Sequence, residues 1–150
     1  MSYQNSCVLA GLSLSTELEA VVERGRQLAR CMNLPLVLLH VVDDTALFDY
    51  ASEFNLSGLL TGEYEEEEVS KELMARRMIE DRLGKAGDAF GTLEIVAGPR
   101  AETLEREARK RHAAVIVVGQ PETRFGSVVT HLARHAPCDV HIVRVAPTGH

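Results

Sequence analysis

Tryptophan is absent from this chain, and three tyrosines with four phenylalanines account for its aromatic content of 5%. A flavin site would need aromatic side chains flanking the ring, so their scarcity argues against a flavin-binding protein. No apolar run is long enough to span a membrane, and no basic region precedes the short apolar run near the N-terminus. These absences predict a cytoplasmic protein with no membrane partner.

Cysteine and clustered positive charge are also scarce. Cys7, Cys31 and Cys138 are odd in number, far apart and outside any CxxC pattern, so neither a disulfide framework nor a zinc site is expected. The net charge of −6 argues against DNA or RNA as a partner, because phosphate binding needs clustered Lys and Arg. The basic residues of the segment 106–111 are balanced by Glu102, Glu105 and Glu107, which predicts a solvated helix face.

No catalytic or metal-binding arrangement can be recognised from spacing. His131 and His135 are four residues apart, which suits a metal, but no acidic partner or third ligand accompanies them in HExxH fashion. His40 lies inside a predicted strand, where a packed, hydrogen-bonded role is expected. Cys138 has no base beside it and is expected to be a buried small residue. We therefore predict no catalytic residue, no metal and no enzymatic activity.

Apolar patterns typical of strands and of helices alternate along the 150 residues. Five short apolar runs predict strands at 6–12, 36–42, 92–97, 113–118 and 139–145. Four amphipathic segments lie between them. This alternation predicts a single α/β domain over residues 1–150, with a doubly wound parallel five-stranded sheet and helices on both faces.

The helix boundaries follow from capping and breaking residues. Ser15 or Thr16 is the expected N-cap of the first helix, and Thr16 with Glu19 fits a capping box. The second helix is predicted over 63–86, with an acidic start that complements the helix dipole. A short helix over the sheet is predicted within 47–56. The third helix is predicted over 101–112.

The segment 113–145 reads as strand, short loop, helix and strand. Gly119 ends the strand, and Gly126 with Ser127 opens the helix. Pro137 stops that helix. The expected apolar stripe of the helix is Val128, Val129, Leu132 and Ala133. A glycine after a parallel strand followed by a helix N-terminus is a place where anions bind, although the same residues are common as plain punctuation of an α/β fold.

This segment, VVG followed by GSVVTHLARHAPCDVHIVRV, resembles the C-terminal half of the universal stress protein family. ATP-binding members of that family carry G-x2-G-x9-G-[ST] here. Gly119 and Gly126-Ser127 match the outer parts of the motif, whereas Glu122 stands at the position of the middle glycine. Gly119 and Gly126 are seven positions apart, against thirteen in the motif.

The resemblance implies the strand order 3-2-1-4-5 and a ligand crevice between strands one and four. It places Ser13 where ATP-binding relatives have an aspartate, and Val41 where a backbone valine holds the nucleoside. Arg124 could neutralise a phosphate in the shortened loop, whereas Glu122 would repel one. The candidate nucleotide-binding residues are Ser13, Val41, Gly119, Arg124, Gly126, Ser127 and Val128.

Two functions follow from this resemblance. The first is a non-enzymatic stress-response or regulatory protein with weak or no ATP binding and with protein partners. It would form a homodimer through the last strand, from Asp139 to Val145, as relatives do. The second is an adenine-nucleotide (ATP) binding protein with slow or no hydrolysis. The shortened loop, which lacks the middle glycine, favours the regulatory protein. The matching positions of the outer glycines support the nucleotide-binding protein.

Overall fold

The computed structural model describes residues 6–14, 17–42, 70–84, 91–120 and 127–144. Strands and helices alternate through these residues, which confirms the predicted order of elements. The elements are β1 (Cys7–Leu12), α1 (Leu18–Met32), β2 (Leu36–Val42), α2 (Lys71–Leu83), β3 (Thr92–Ala97), α3 (Arg100–Lys110), β4 (Ala113–Gly119), α4 (Ser127–His135) and β5 (Asp139–Val143).

All five strands are parallel, in the order β3-β2-β1-β4-β5, so the predicted doubly wound sheet is confirmed. Val8 of β1 pairs with Leu36 of β2 on one side and with Val115 of β4 on the other. The strand order reverses between β1 and β4, and open α/β sheets bind ligands in a crevice at the carboxyl ends of the strands at such a switch point.

Two helical layers bury the two faces of the sheet. On one face Val21 of α1 and Ile79 of α2 belong to the same buried cluster as Val8 of β1. On the other face Leu104 of α3 and Leu132 of α4 pack against the strands. The central strands are buried on both sides, which is why their sequences are continuous apolar runs instead of alternating ones.

Helix α1 begins later than its sequence suggests. Its N-cap is Glu17, in the αR region of φ/ψ and without a side-chain capping bond, so the predicted cap at Ser15 or Thr16 was wrong. The helix register follows from burial, because Leu18 and Val21 are both less than 3% exposed. Ser15 and Thr16 themselves lie outside the described residues.

Helix α2 is shorter at both ends than the predicted 63–86. Ser70 has extended backbone geometry, and its hydroxyl accepts the N–H of Leu73 at 3.1 Å, so it caps the helix. Gly84, at φ 68°, ends it. The residues predicted before Ser70 and after Gly84, and the predicted short helix within 47–56, lie outside the described residues.

Helix α4 ends at His135, just before Ala136 and Pro137, as predicted. Leu132 is buried, but Ala133 is exposed, so its predicted place in the apolar stripe was wrong. Ala136, just beyond the helix, packs on the cluster instead. The described strand β5 stops at Val143, two residues short of the predicted end, and Val145 lies outside the described residues.

Candidate functional site

The crevice at the switch point gathers three of the predicted site residues. Leu12 of β1 pairs with His40 of β2, so Ser13 follows at the level of Val41. Gly11 of β1 pairs with Val118 of β4, which puts Gly119 at the same edge of the sheet. Three adjacent strands therefore bring Ser13, Val41 and Gly119 together, as a parallel sheet of this order requires.

The predicted site residues differ in their burial and in what they could offer a ligand. Ser13 is exposed and has an interaction within the chain. The Val41 side chain is buried in the core, so only its backbone could meet a ligand. Ser127 begins α4, and Val128 is half-buried against the core. Arg124 and Gly126 lie outside the described residues.

Gly119 is packed against α1. A Cβ placed on this glycine would lie 3.0 Å from the Cβ of Glu17 and 3.2 Å from Cγ2 of Val21. Glu17 is 5% exposed, which is rare for a glutamate, so this side chain fills the space beside Gly119. The close approach of α1 to the end of β4 explains why a residue without a side chain stands at position 119.

The carbonyl groups at this edge are largely satisfied from within the chain. His40, 1% exposed, donates from Nδ1 to the oxygen of Leu12 at 2.8 Å, which confirms its packed, hydrogen-bonded role. The oxygen of Val42 accepts the N–H of Gly98 at 3.0 Å, and the oxygen of Val143 accepts that of Gln120 at 3.0 Å. The ends of β1, β2 and β5 are thus tied down internally.

The packing of Glu17 and the hydrogen-bond partner of His40 were not predicted from the sequence. In the sequence, Glu17 follows the two candidate capping residues Ser15 and Thr16, so it is expected to be an ordinary glutamate of the first helical turn. His40 reads as packed, but nothing in its spacing identifies the Leu12 carbonyl, 28 positions earlier, as its partner. A signal existed only in the continuity of the apolar run around His40, which indicated burial.

A second group of titratable side chains lies between α3 and α4, away from the crevice. His131 meets Glu105 at 2.8 Å, Nε2 to Oε1, and the rings of His131 and His135 are 4.7 Å apart. Glu105 also pairs with Arg109 at 3.3 Å. His131 therefore has an acidic partner, although it comes from the preceding helix and not from an HExxH pattern. In the described residues no group of three or more His, Cys, Asp or Glu side chains could hold a metal ion.

The Glu105 contact predicts a pH dependence of stability. The hydrogen bond from His131 is the main cause, with Arg109 second, of a Glu105 carboxyl pKa below its ordinary value of 4.5. A lowered carboxyl pKa stabilises the fold above the unfolded pKa, and this contribution is lost as the pH falls through the folded pKa. We expect Glu105→Gln to be less stable than the wild type at neutral pH, with the difference shrinking below about pH 4.5. Urea unfolding of both proteins along a pH series measures it, and a difference that stayed constant would contradict the assignment.

Cys7, at the start of β1, and Cys138, just before β5, are poor nucleophiles. Burial is the main cause of the raised pKa values of the Cys7 and Cys138 thiols, and Asp139 adds to the effect on Cys138. Thiols of raised pKa stay protonated and unreactive near neutral pH. Cys138 was expected to be buried and is half-buried, packed against the core on the face of α3 and α4. No helix of the described residues is long and apolar enough to cross a membrane.

Comparison with solved structures gives the same fold repeatedly. UspA from Lactobacillus plantarum is 23% identical with a TM-score of 0.61, and the match covers 93% of this chain and 98% of that one. A universal stress protein solved in complex with cAMP is 22% identical with a TM-score of 0.60, covering 92% and 95%. A universal stress family protein from Burkholderia pseudomallei is 25% identical with a TM-score of 0.54, covering 95% and 98%.

The search of curated proteins returned no significant match. The model of the universal stress protein family, by contrast, matches residues 6–144. That span includes every strand and helix that the structure describes, from β1 to β5, and the switch point between β1 and β4. The chain therefore belongs to the universal stress protein family.

Proposed function

We propose that this universal stress protein is a non-enzymatic regulatory protein that acts as a homodimer and binds ATP weakly or not at all. The observation that carries the proposal is the packing of Glu17 against Gly119 at the switch point. A phosphate cradle needs backbone N–H groups that are open to a ligand. Here Gly119, at the end of β4, is half-buried, and the side chains of Glu17 and Val21 occupy the space on its α1 side.

The chemistry of the surrounding residues points the same way. Ser13 stands where ATP-binding relatives have an aspartate, and a neutral hydroxyl makes a hydrogen bond about half as strong as a charged group does. Glu17 is an acidic residue packed beside Gly119, and the sequence has a second acidic residue, Glu122, at the position of the motif's middle glycine. Like charges at short range repel, most strongly where water is excluded.

The dimer is proposed from the edge of the sheet. In the described chain β5 pairs with β4 on one side and borders no strand on the other. Ile142 on this strand is 42% exposed, one of three large apolar side chains exposed to this degree among the described residues. An unpaired strand edge with an exposed apolar residue is protected when a second copy pairs with it.

Oligomeric state tests this dimer. We expect the wild type to sediment as a dimer and Ile142→Asp as a monomer, because the buried carboxylates would face each other across the two-fold axis. Met32→Asp is the matched control, since Met32 is 41% exposed at the end of α1 and lies outside β5. A wild type that sediments as a monomer, or an Ile142→Asp variant that remains a dimer, would contradict the proposed interface.

The second candidate function is binding of an adenine nucleotide without rapid hydrolysis. The solved relative in complex with cAMP favours it, together with the register that brings Ser13, Val41 and Gly119 to one edge. In this case the nucleoside would use the backbone of Val41, and α1 would have to move away from Gly119. A measurement of the nucleotide bound to the purified protein distinguishes the two candidate functions.

A further inference from the structure

The sheet has a second edge, at β3. This strand pairs with β2 on one side and, among the residues that the structure describes, borders no strand on the other. Its pairing with β2 runs over six residue pairs without a register shift, so the alternation of the backbone continues along the whole strand. The edge therefore has a row of backbone groups that β2 does not use.

The direction of these groups follows from Gly98. Its N–H donates to the oxygen of Val42 at 3.0 Å and therefore points toward β2. The carbonyl of Ala97 belongs to the same peptide plane and points the opposite way. Because the direction alternates with a period of two residues, the carbonyl of Leu93 also points away from β2. It is one of the groups to which an added strand would bond.

Arg76 of α2 occupies this carbonyl. Its Nη2 donates to the oxygen of Leu93 at 2.9 Å. Its Nη1 lies 3.7 Å from Oε1 of Glu80, one turn later on the same helix. The opposite side of α2 is fixed in the core, where Ala75 and Ile79 are fully buried. The guanidinium is thus held at the free edge of β3 by a well-anchored helix.

The edge of β5 has no such cover. The N–H of Gln120 donates to the oxygen of Val143, so that carbonyl points toward β4. By the same alternation, the carbonyls of Val140 and Ile142 point away from β4. Within the described part of the chain, no side chain donates a hydrogen bond to either of them. The two edges of the sheet therefore differ in whether a charged side chain occupies them.

Apolar exposure does not distinguish the two edges. Ile142 on β5 is 42% exposed, and Leu73 on α2 is 43% exposed. Leu73 precedes Arg76 by three residues and so lies on the same side of the helix. Each edge combines unused strand groups with an exposed apolar side chain, which favours pairing with another chain. The hydrogen bond from Arg76 is what sets the β3 edge apart.

We propose that Arg76 closes the β3 edge of the sheet to a second copy of this chain and leaves β5 as the edge available for self-association. A strand that paired with β3 would displace the guanidinium from Leu93 or bury its charge without a partner, and an unpaired buried charge is costly. Closure of β3 stands by itself, whereas the choice of β5 rests on the proposed function.

Removal of Arg76 should open this edge. Arg76→Ala preserves the helix, because alanine has the highest helix propensity. We expect its sedimentation to show species of at least twice the mass of the wild type at concentrations where the wild type shows none. Arg77→Ala is the matched control, since it removes the same charge from the next, exposed position. Sedimentation of Arg76→Ala like the wild type at every concentration, or equal association of Arg77→Ala, would overturn the proposal.

Amide hydrogen exchange identifies the edge that pairs. The N–H groups of Leu93 and Ile95 point away from β2, as their carbonyls do, and should exchange rapidly in the wild type. In Arg76→Ala their exchange should slow as the protein concentration rises, because an added strand would bond to them. Association of Arg76→Ala that left both amides in rapid exchange would place the contact on another surface and refute closure of β3.

The Ile142→Asp background separates this proposal from the dimer through β5. We expect Arg76→Ala to associate through β3 in that background as well, and a double variant that stays monomeric would contradict the proposal. A wild type that sediments as a monomer would refute the dimer through β5. Association of Arg76→Ala with slowed exchange at Leu93 and Ile95 would still support closure of β3 in that case. Arg76→Gln, which keeps a polar side chain, is a second variant with the same expected result.

Discussion

Gly119→Ala is expected to lower the free energy of unfolding by about 1–3 kcal/mol, although it adds a single methyl group. The added Cβ would lie 3.0 Å from the Cβ of Glu17 and 3.2 Å from Cγ2 of Val21, closer than packed carbon atoms normally approach. Both contacts come from α1, so the helix would have to move away from β4. Alanine is otherwise the better residue in a strand, and relief of the glycine entropy offsets only about 0.5–1 kcal/mol.

A double-mutant cycle identifies the cause of this loss. Val21→Ala removes Cγ2 and makes a cavity by itself, but it should cost less in the Gly119→Ala background because it relieves the overlap. A coupling of about 0.5–3 kcal/mol is typical of residues in direct contact. Urea unfolding of the four proteins measures it. If Gly119→Ala were as stable as the wild type, α1 would not close on Gly119, and the space would remain free for a phosphate.

His40→Leu is expected to cost about 1–3 kcal/mol, the penalty for leaving a buried polar group without its partner. His40 is 1% exposed, and its Nδ1 bond to the oxygen of Leu12 fixes the last residue of β1 before Ser13. His40→Asn retains an N–H donor close to the same position, so it should keep part of the stability despite its smaller volume.

Amide exchange relates this loss to the crevice. Residues 12–14 should exchange faster in His40→Leu than in His40→Asn if the histidine holds the end of β1. Equal stability of His40→Leu and the wild type would mean that water replaces the histidine at Leu12, and the crevice edge would then be open to solvent. In that case the carbonyl groups at the carboxyl ends of the strands would not depend on hydrogen bonds from within the chain, as we infer that they do.

The fold was predictable because burial on both faces leaves a strong mark in the sequence. Runs such as AAVIVVG at β4 and LVLLHVV at β2 are too short and too rich in β-branched residues for helices between breaks. Pro137 acts locally, through the backbone alone, and the end of α4 was predicted from it, whereas the predicted second helix ran past Gly84, the residue that ends α2. The start of α1 was harder to predict, because the helix begins at Leu18 with Glu17 as an N-cap that makes no side-chain capping bond.

The site was only partly predictable. Once the strand order was inferred, register alone required Ser13, Val41 and Gly119 to share an edge. The burial of Glu17 could not be read from spacing, because its cause is the distance between α1 and β4, which no local pattern encodes. The same holds for Arg76 and the carbonyl of Leu93, whose contact depends on how α2 lies along the edge of the sheet. Contacts of this kind follow from how the layers close on each other.

Nucleotide content is the measurement that tests the proposed function most directly. Protein purified from cells would be denatured and the supernatant analysed for ATP, ADP and AMP by mass spectrometry. The stripped protein would then be titrated with Mg-ATP by calorimetry. We expect no stoichiometric nucleotide and no binding heat, because Glu17 is packed beside Gly119 and Ser13 stands where ATP-binding relatives have an aspartate. Stoichiometric nucleotide, or a micromolar dissociation constant, would contradict this and assign the crevice to an adenine nucleotide.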